Sequence, residues 1–250
     1  MIKEVDNKEW GIKVPTMGCD DVISNKIPAP FPSKNFIAIL IGTKGSGKTS
    51  LMTSLLTAQK KPCCVYRGKF EEVILNMPKA SMSSIKGKPF KSLPAGCCYE
   101  DFNYELLQDI QDKAEETMED DGNTIAVIDD ASSKLKTNKM LIDKLTHLVH
   151  THRHINLSLL LLVQDMISVP LGVRKNVDIV IYFRPVNEKS NEVFRDEYLG
   201  GFSKDLVNAL MKFVFRKKGD FLMVKCSVIP FEYYRNGNRL IFADNKDGGL

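Results

Sequence analysis

The stretch GTKGSGKT, from Gly42 to Thr49, constrains the fold more than any other part of the sequence. It fits the pattern G-x-x-x-x-G-K-[ST], follows the apolar run 36–41 and precedes a helix-forming run that starts at Gly47. The glycines allow a tight turn that aims backbone N–H groups inward, at the positive end of a helix dipole. A strand, a phosphate-binding loop and a helix in this order predict an α/β fold that binds a nucleoside triphosphate.

The residues of this loop have expected roles at a bound triphosphate. Lys48 is expected to bridge the β- and γ-phosphates, and Thr49 to ligate Mg²⁺ through its hydroxyl. ATP is favoured over GTP, because 128–132 lacks the glycine of a DxxG switch and 245–248 misses the guanine-reading N-K-x-D by one place. The expected nucleotide-binding residues are Gly42, Thr43, Lys44, Gly45, Ser46, Gly47, Lys48, Thr49 and Ser50.

A second candidate feature is the apolar run TIAVIDD, 124–130, which ends in two carboxylates. Asp129 is placed to hold the hydration shell of Mg²⁺, and Asp130 to orient and deprotonate an attacking water. The alternative is that the two acids only solvate a strand end. Two predicted strands, 63–68 and 70–77, lie between the phosphate loop and this run, so a strand can be inserted between them in the sheet. That arrangement is typical of the RecA-like and AAA-like ATPases.

Short apolar runs alternate with helical stretches from Asn35 onward, which predicts a mostly parallel central sheet flanked by helices. Several runs are apolar on both faces, as strands between two helical layers must be. We expect strands at 36–41, 63–68, 70–77, 124–130, 157–164 and 177–183, and helices at 47–59, 102–117 and 138–150, with two more within 188–213.

Three regions are expected along the 250 residues. Residues 1–35 hold four of the 11 prolines and form an N-terminal arm that docks on the core. Residues 36–225 form the ATPase domain, and 226–250 form a C-terminal extension with a hairpin turned by NGN. The charged run FRKKGD, 215–220, is interpreted as a turn.

Composition narrows the class of protein. The apolar fraction is 43%, and no apolar run reaches the roughly 20 residues that a membrane-spanning helix needs. The first residues lack the apolar core of a signal peptide, so we expect a soluble protein whose six cysteines are reduced in a cytoplasm. The small excess of Lys and Arg, 35 against 31 acids, permits contact with nucleic acid without requiring it.

A third candidate feature is HTHRHINLSLLLLVQDM, 150–166, in which a basic helix end leads into an apolar strand. This strand is expected beside the Asp129 strand, so that Gln164 lies next to the γ-phosphate. An amide can donate to phosphate and accept from water, so Gln164 is suited to detect the γ-phosphate, unless it is only a polar strand cap. The histidines cluster at a helix end without a common face, so we expect no metal site from His147, His150, His152 and His154.

An arginine shortly before a strand that ends in glutamine, after a two-acid strand, resembles the FtsK/HerA superfamily of ring-forming DNA pumps. Within it, RHINLSLLLLVQD (153–165) and VRKNVDIVIYFRP (173–185) are similar to the genome-packaging ATPases of poxviruses, giant viruses, virophages and related large transposons. The similarity covers about residues 36–200. It implies ATP hydrolysis at the subunit interfaces of a ring, commonly a hexamer, that drives double-stranded DNA into a preformed capsid.

The resemblance carries over residue by residue to the phosphate loop, Asp129, Asp130 and Gln164. The superfamily usually has Glu as the catalytic base, so Asp130 is a departure that shortens the reach to water by one methylene. Arg153 stands where relatives place an arginine that acts on a neighbouring subunit, an effect worth about 10³ to 10⁵ in rate. Arg174 is the second candidate, and an ordinary surface arginine is the alternative for each.

The run SSKLKTNK, 132–139, follows the two acids directly. Lys134 and Lys136 can grip DNA phosphates without sequence preference, or they belong to a solvated basic loop. The resemblance implies double-stranded DNA, neighbouring subunits and a capsid or portal-vertex protein as partners. It also implies work in the host cytoplasm, at the virus factory, with virion association left open. The alternatives are a monomeric phosphotransferase acting on a small molecule and a cellular FtsK/HerA-like DNA translocase.

Overall fold

The described residues of the computed structural model are 27–59, 65–94, 96–183 and 187–242. Their strands are β1 (Ile37–Ile41), β2 (Glu72–Asn76), β3 (Cys98–Tyr99), β4 (Thr124–Asp129), β5 (Leu157–Val163), β6 (Ile179–Phe183), β7 (Phe221–Lys225), β8 (Glu232–Arg235) and β9 (Asn238–Arg239). Their helices are α1 (Lys48–Thr57), α2 (Lys79–Ser84), α3 (Tyr104–Glu119), α4 (Lys134–Thr137), α5 (Lys139–Thr151), α6 (Leu171–Arg174), α7 (Glu188–Tyr198) and α8 (Lys204–Val214). Short 3-10 turns lie at His152–Ile155 and Met166–Ser168.

These strands form one sheet in the order β3-β2-β4-β5-β1-β6-β7-β8-β9. The strands from β3 to β6 are parallel, and β7, β8 and β9 are antiparallel to their neighbours. The predicted mostly parallel α/β sheet is confirmed. A strand is inserted between β1 and β4, as expected, but it is β5, which follows both in the chain, and β2 lies on the far side of β4.

The sequence of β5 explains its central position. All seven of its residues are buried, with Leu159 and Leu161 on one face of the sheet and Leu160 and Leu162 on the other. A strand without a polar face is stable only where helices cover both sides of the sheet. Here α1 packs on one face, and α3, α5, α7 and α8 pack on the other.

The prediction of a strand over 63–68 is wrong for 65–68, because these residues form a turn. Residues 63 and 64 lie outside the described residues. Val65 and Tyr66 are buried, but they pack against α1 instead of pairing in the sheet. The Tyr66 N–H donates to the carbonyl oxygen of Leu55 at 2.8 Å, and Lys69 N–H donates to Tyr66 at 3.1 Å. These two apolar residues are therefore buried by packing beside α1 and not by strand pairing.

The segment before β1 packs against Tyr66 as well. Ile27 and Phe31 are partly buried on this side of the sheet, and the Phe31 ring lies edge-on to Tyr66 at 6.2 Å. The Tyr66 hydroxyl donates to the carbonyl oxygen of Pro32 at 2.9 Å. Residues 1–26, the rest of the predicted arm, lie outside the described residues.

The last strands form the hairpin expected at NGN. Asn236 and Gly237 have φ angles of 50° and 88°, which is the left-handed conformation that a two-residue hairpin turn requires. β8 pairs with β7, so this hairpin continues the central sheet. None of the helices in the described part of the chain is long and apolar enough to cross a membrane.

We expect Leu161→Ala to lower the free energy of unfolding by about 2–5 kcal/mol, because it leaves a cavity in a strand paired on both edges. Urea denaturation followed by circular dichroism measures the loss. The matched control is Leu171→Ala on exposed α6, which should change stability by less than about 0.5 kcal/mol. Equal losses for the two variants would contradict the central placement of β5.

Candidate nucleotide-binding site

The chain turns sharply after β1, at the carboxyl edge of the sheet. The Gly42 N–H donates to the carbonyl oxygen of Val163 at 3.2 Å, which ties the loop to the end of β5. A β-carbon on Gly42 would lie 2.7 Å from the β-carbon of Phe183, so the close approach needs glycine. Gly45 and Gly47 have φ angles of 75° and 114°, a region that disfavours other residues.

The loop leads directly into α1 without a side-chain cap. Gly47 occupies the N-cap position, and no acidic residue lies in the first turn of α1. The first backbone N–H groups of a helix have no partner within the helix, and they carry the positive end of its dipole. Loop and helix together therefore leave donors for an anion such as a phosphate.

Lys48 is buried beside this loop, with 8% of its surface exposed. Its ammonium donates to the carbonyl oxygens of Gly42 and Thr43, the latter at 3.3 Å. Burial lowers the pKa of Lys48, and the carboxylates of Asp129 and Asp130 oppose that shift. A phosphate in the loop would therefore compete with the loop's own carbonyls for this ammonium.

Thr49 and Asp129 contact each other across the inserted strand. The Thr49 hydroxyl donates to Oδ2 of Asp129 at 3.2 Å. Burial raises the pKa of the Asp129 carboxyl, while the Thr49 hydroxyl and the Lys48 ammonium favour its charged form. A hydroxyl and a carboxylate supply the oxygen ligands that Mg²⁺ prefers. A cation bound there would also offset the cost of burying the charge of Asp129.

Asp130 and Gln164 are brought together at the ends of β4 and β5. Gln164 Nε2 donates to Oδ1 of Asp130 at 2.8 Å, and the Gln164 N–H donates to the Ser132 hydroxyl at 2.9 Å. Asp130 has a φ of 62°, a left-handed conformation that Asp tolerates better than most residues and that is frequent at functional sites. Both side chains are exposed, so water can reach the carboxylate.

Arg153 lies at the opposite edge of the sheet. It belongs to the 3-10 turn before β5, whereas Gln164 follows the end of β5, and a strand of seven residues spans roughly 20 Å. Its guanidinium lies 3.3 Å from Oδ1 of Asp178, and its side chain is 46% exposed. Arg153 therefore cannot contact a nucleotide held by the phosphate loop of its own chain.

Asp178 holds Arg153 in this position. Its Oδ2 accepts a hydrogen bond from the Ile37 N–H at 2.8 Å, at the start of β1. Burial raises the pKa of Asp178, while that N–H and the Arg153 guanidinium favour the carboxylate. Asp178 is not among the residues predicted from sequence, because nothing local marks an acid before an apolar strand as the partner of a residue 25 positions earlier.

Arg174 is engaged within its own chain. Its Nε and Nη2 donate to Glu197 at 2.9 and 2.8 Å, and Nη1 donates to the carbonyl oxygen of Val169 at 2.6 Å. Its side chain is 14% exposed. Arg153 is therefore the more accessible of the two arginine candidates.

The clustered histidines lie around the turn that precedes β5, at the edge of the sheet opposite the phosphate loop. His152 is buried, and its ring nitrogens face the carbonyl oxygens of Val149 and Asn35 at 2.6 and 3.1 Å. Within the described ranges, no group of three His, Cys, Asp or Glu side chains is arranged to hold a metal ion.

Lys134 and Lys136 lie in α4 with side chains that are about half exposed. Lys134 pairs with the exposed Asp101, and Lys136 pairs with the mostly buried Asp165.

One further lysine lies at the loop. Lys218 Nζ is 3.9 Å from the position that a β-carbon would occupy on Gly45. From sequence, 215–220 is predicted only as a charged turn. No local pattern could predict that Lys218 lies near the phosphate loop. Its position depends on the pairing of β7 with β6 and of β6 with β1, which involves residues far apart in the chain.

Solved structures share this fold. The DNA-packaging ATPase B204 of Sulfolobus turreted icosahedral virus matches with a TM-score of 0.57 and 16% identity, over 81% of this chain and 98% of that chain. The genome-packaging NTPase B204 of Sulfolobus turreted icosahedral virus 2, in complex with ATP-gammaS, matches with a TM-score of 0.54 and 18% identity, over 80% and 97%. The pCW3 conjugation coupling protein TcpA with ATPgS matches with a TM-score of 0.53 and 14% identity, over 86% and 62%. These matches confirm the predicted P-loop NTPase fold.

No curated protein matches the sequence. The family model described as "Poxvirus A32 protein" matches residues 94–246, more than half of the chain. This range contains Asp129, Asp130, Arg153 and Gln164 and begins after the phosphate loop, so it is a separate indication from the loop motif. It confirms the resemblance to packaging ATPases of the poxvirus type. The chain belongs to the poxvirus A32 protein family.

Proposed function

We propose that this protein is an ATPase that assembles into a ring, a hexamer by analogy with its superfamily, and drives double-stranded DNA into a viral capsid. The observation that carries the proposal is the division of the candidate residues between two edges of the sheet. The phosphate loop, Asp129 and Gln164 lie at the carboxyl edge, and Arg153 lies roughly 20 Å away at the amino edge. A site divided in this way is complete only where two subunits meet.

The nucleotide half of the site is suited to hold ATP. The loop N–H groups and the start of α1 would bind the β-phosphate, and Lys48 would exchange the carbonyls of Gly42 and Thr43 for phosphate oxygens. Thr49 and Asp129 would hold Mg²⁺, which neutralises charge on the β- and γ-phosphates when bound. Hydrogen bonds between ions are stronger than those to neutral carbonyls, so the exchange favours nucleotide binding.

Asp130 would act as the base that orients and deprotonates the attacking water. In the structure, the Gln164 amide donates to this carboxylate. A γ-phosphate would offer that amide a charged acceptor, and the amide would then release Asp130 to bind water. Gln164 would in this way link the presence of the γ-phosphate to the availability of the base.

The DNA contact is assigned to α4, which follows Asp130 within four residues. Lys136 pairs with Asp165 at 3.1 Å, and Lys134 lies 3.9 Å from Asp101. The Lys134 pair is long and exposed and contributes little stability, and the Lys136 side chain is half exposed, so DNA phosphates can compete for both lysines. We further propose that the motor works in the host cytoplasm with a capsid or portal-vertex protein as its partner, and that residues 36–225 form the ATPase domain.

We expect Lys48→Ala to abolish ATP hydrolysis, because it removes the ammonium that would bridge the β- and γ-phosphates. Phosphate release is measured with and without long duplex DNA, at several protein concentrations. Lys212→Ala, on the exposed part of α8, is the control and should keep the wild-type rate. A wild-type hydrolysis rate that depends on neither duplex DNA nor protein concentration would contradict the ring motor and favour a monomeric phosphotransferase.

We expect Asp130→Asn to lower hydrolysis by about 10² to 10⁴ and to leave ATP binding unchanged, because it removes only the base. Asn tolerates the left-handed backbone at this position, so the fold should be kept. Asp130→Glu should retain measurable hydrolysis, and Asp143→Asn on α5 is the control. Full activity of Asp130→Asn would show that Asp130 is not the base.

We expect Arg153→Ala to keep ATP binding and to lower turnover by about 10³ or more. Mixing it with Lys48→Ala subunits should restore part of the activity, because some interfaces then combine an intact loop with an intact arginine. Thermal denaturation checks that Asp178, deprived of its partner, does not unfold the protein. A loss of activity without rescue in a folded variant would argue against an arginine that acts between subunits.

A further inference from the structure

The turn between α8 and β7 lies at the same edge of the sheet as the phosphate loop. Phe221 begins β7 and pairs with Phe183 at the end of β6, and β6 lies beside β1, which leads into the loop. The residues just before Phe221 are therefore carried to the loop. Lys218 approaches the loop, with its ammonium 3.9 Å from the position of a β-carbon on Gly45.

Asp220 fixes the shape of this turn. It is 1% exposed, and its Oδ2 accepts hydrogen bonds from the N–H groups of Arg216 and Lys217 at 3.0 and 2.9 Å. Asn236 Nδ2 donates to Oδ1 at 2.7 Å, and Arg235 Nη2 donates to Oδ2 at 3.2 Å. These donors, with the Asn236 amide foremost, hold the pKa of Asp220 at about 2, so the turn stays anchored to the β8–β9 hairpin.

In the described part of the chain, the Lys218 ammonium has neither a hydrogen-bond acceptor nor an acidic partner. No hydrogen bond or ion pair joins its ammonium to another described residue, and the side chain is exposed. The neighbouring loop presents N–H donors and the buried Lys48, so the local environment is positive. A cation held beside an anion-binding loop gains its partner when a polyphosphate binds, through charge-assisted hydrogen bonds.

We propose that Lys218 is a second phosphate-binding lysine, which contacts nonbridging oxygens of the nucleotide polyphosphate above Gly45. Lys48 reaches the phosphates from α1, and Lys218 reaches them from the turn before β7. The inference rests on the proposed nucleotide binding and adds a residue from the C-terminal part of the sheet to it. Asp220 is the positioning residue, because it holds the turn that carries Lys218.

The test compares Lys218→Ala with Lys217→Ala, a lysine of the same turn, in the full chain. Binding of ATPγS and of AMP is measured by isothermal titration calorimetry at fixed ionic strength. We expect Lys218→Ala to weaken ATPγS binding about tenfold, as the loss of one charged hydrogen bond predicts, and AMP binding less than twofold. Lys217→Ala should bind both ligands like the wild type, and Lys218→Arg should regain most of the ATPγS affinity.

Two results would overturn the inference and leave the proposed function standing. One is ATPγS binding by Lys218→Ala that equals that of Lys217→Ala, while Lys48→Ala binds more weakly. The other is an equal loss for ATPγS and AMP, which would mean that Lys218 does not contact the polyphosphate. Failure of the wild-type protein to bind ATPγS would instead overturn the proposed function, and the inference with it.

Discussion

The position of β5 controls the geometry of the candidate site. This strand is buried on both faces and pairs along both edges with parallel strands, β1 and β4. Two strand spacings, about 10 Å, therefore separate the end of β1 from the end of β4, and Gln164 lies between these ends. Thr49, at the start of α1, bridges this gap to Asp129. The same parallel direction places Arg153 at the amino edge. One apolar strand thus separates the two halves of the proposed intersubunit site.

The polar side chains of the site find hydrogen-bond acceptors within the site itself. Lys48 donates to loop carbonyls, Thr49 donates to Asp129, and Gln164 donates to Asp130. The first two bonds satisfy polar groups of Lys48 and Asp129 that would otherwise be costly to bury, whereas the third joins two exposed side chains. ATP and Mg²⁺ would offer each donor or acceptor a charged partner, so nucleotide binding would reorganise all three contacts together.

Much of the fold and half of the site were predictable from local pattern. The glycine spacing of 42–49 predicts the phosphate loop, because few backbones other than a loop before a helix use that spacing. The acids that end β4 and the glutamine that follows β5 were predicted to meet at one edge, and they do. The strand prediction over 63–68 is wrong at Val65 and Tyr66. Apolar residues in a short run can be buried either in a sheet or against a helix, and the sequence pattern does not distinguish the two.

By itself, the sequence determined the phosphate loop, the two acids at the end of β4 and the apolar strand that precedes Gln164, since each depends on contacts between near neighbours. Only the tertiary structure decided the strand order, and with it the separation of Arg153 from the loop and the approach of Lys218 to Gly45. The physical reason is that strand order arises from pairing between residues far apart in the chain. Local periodicity shows that a strand will be buried but does not specify the partner it pairs with.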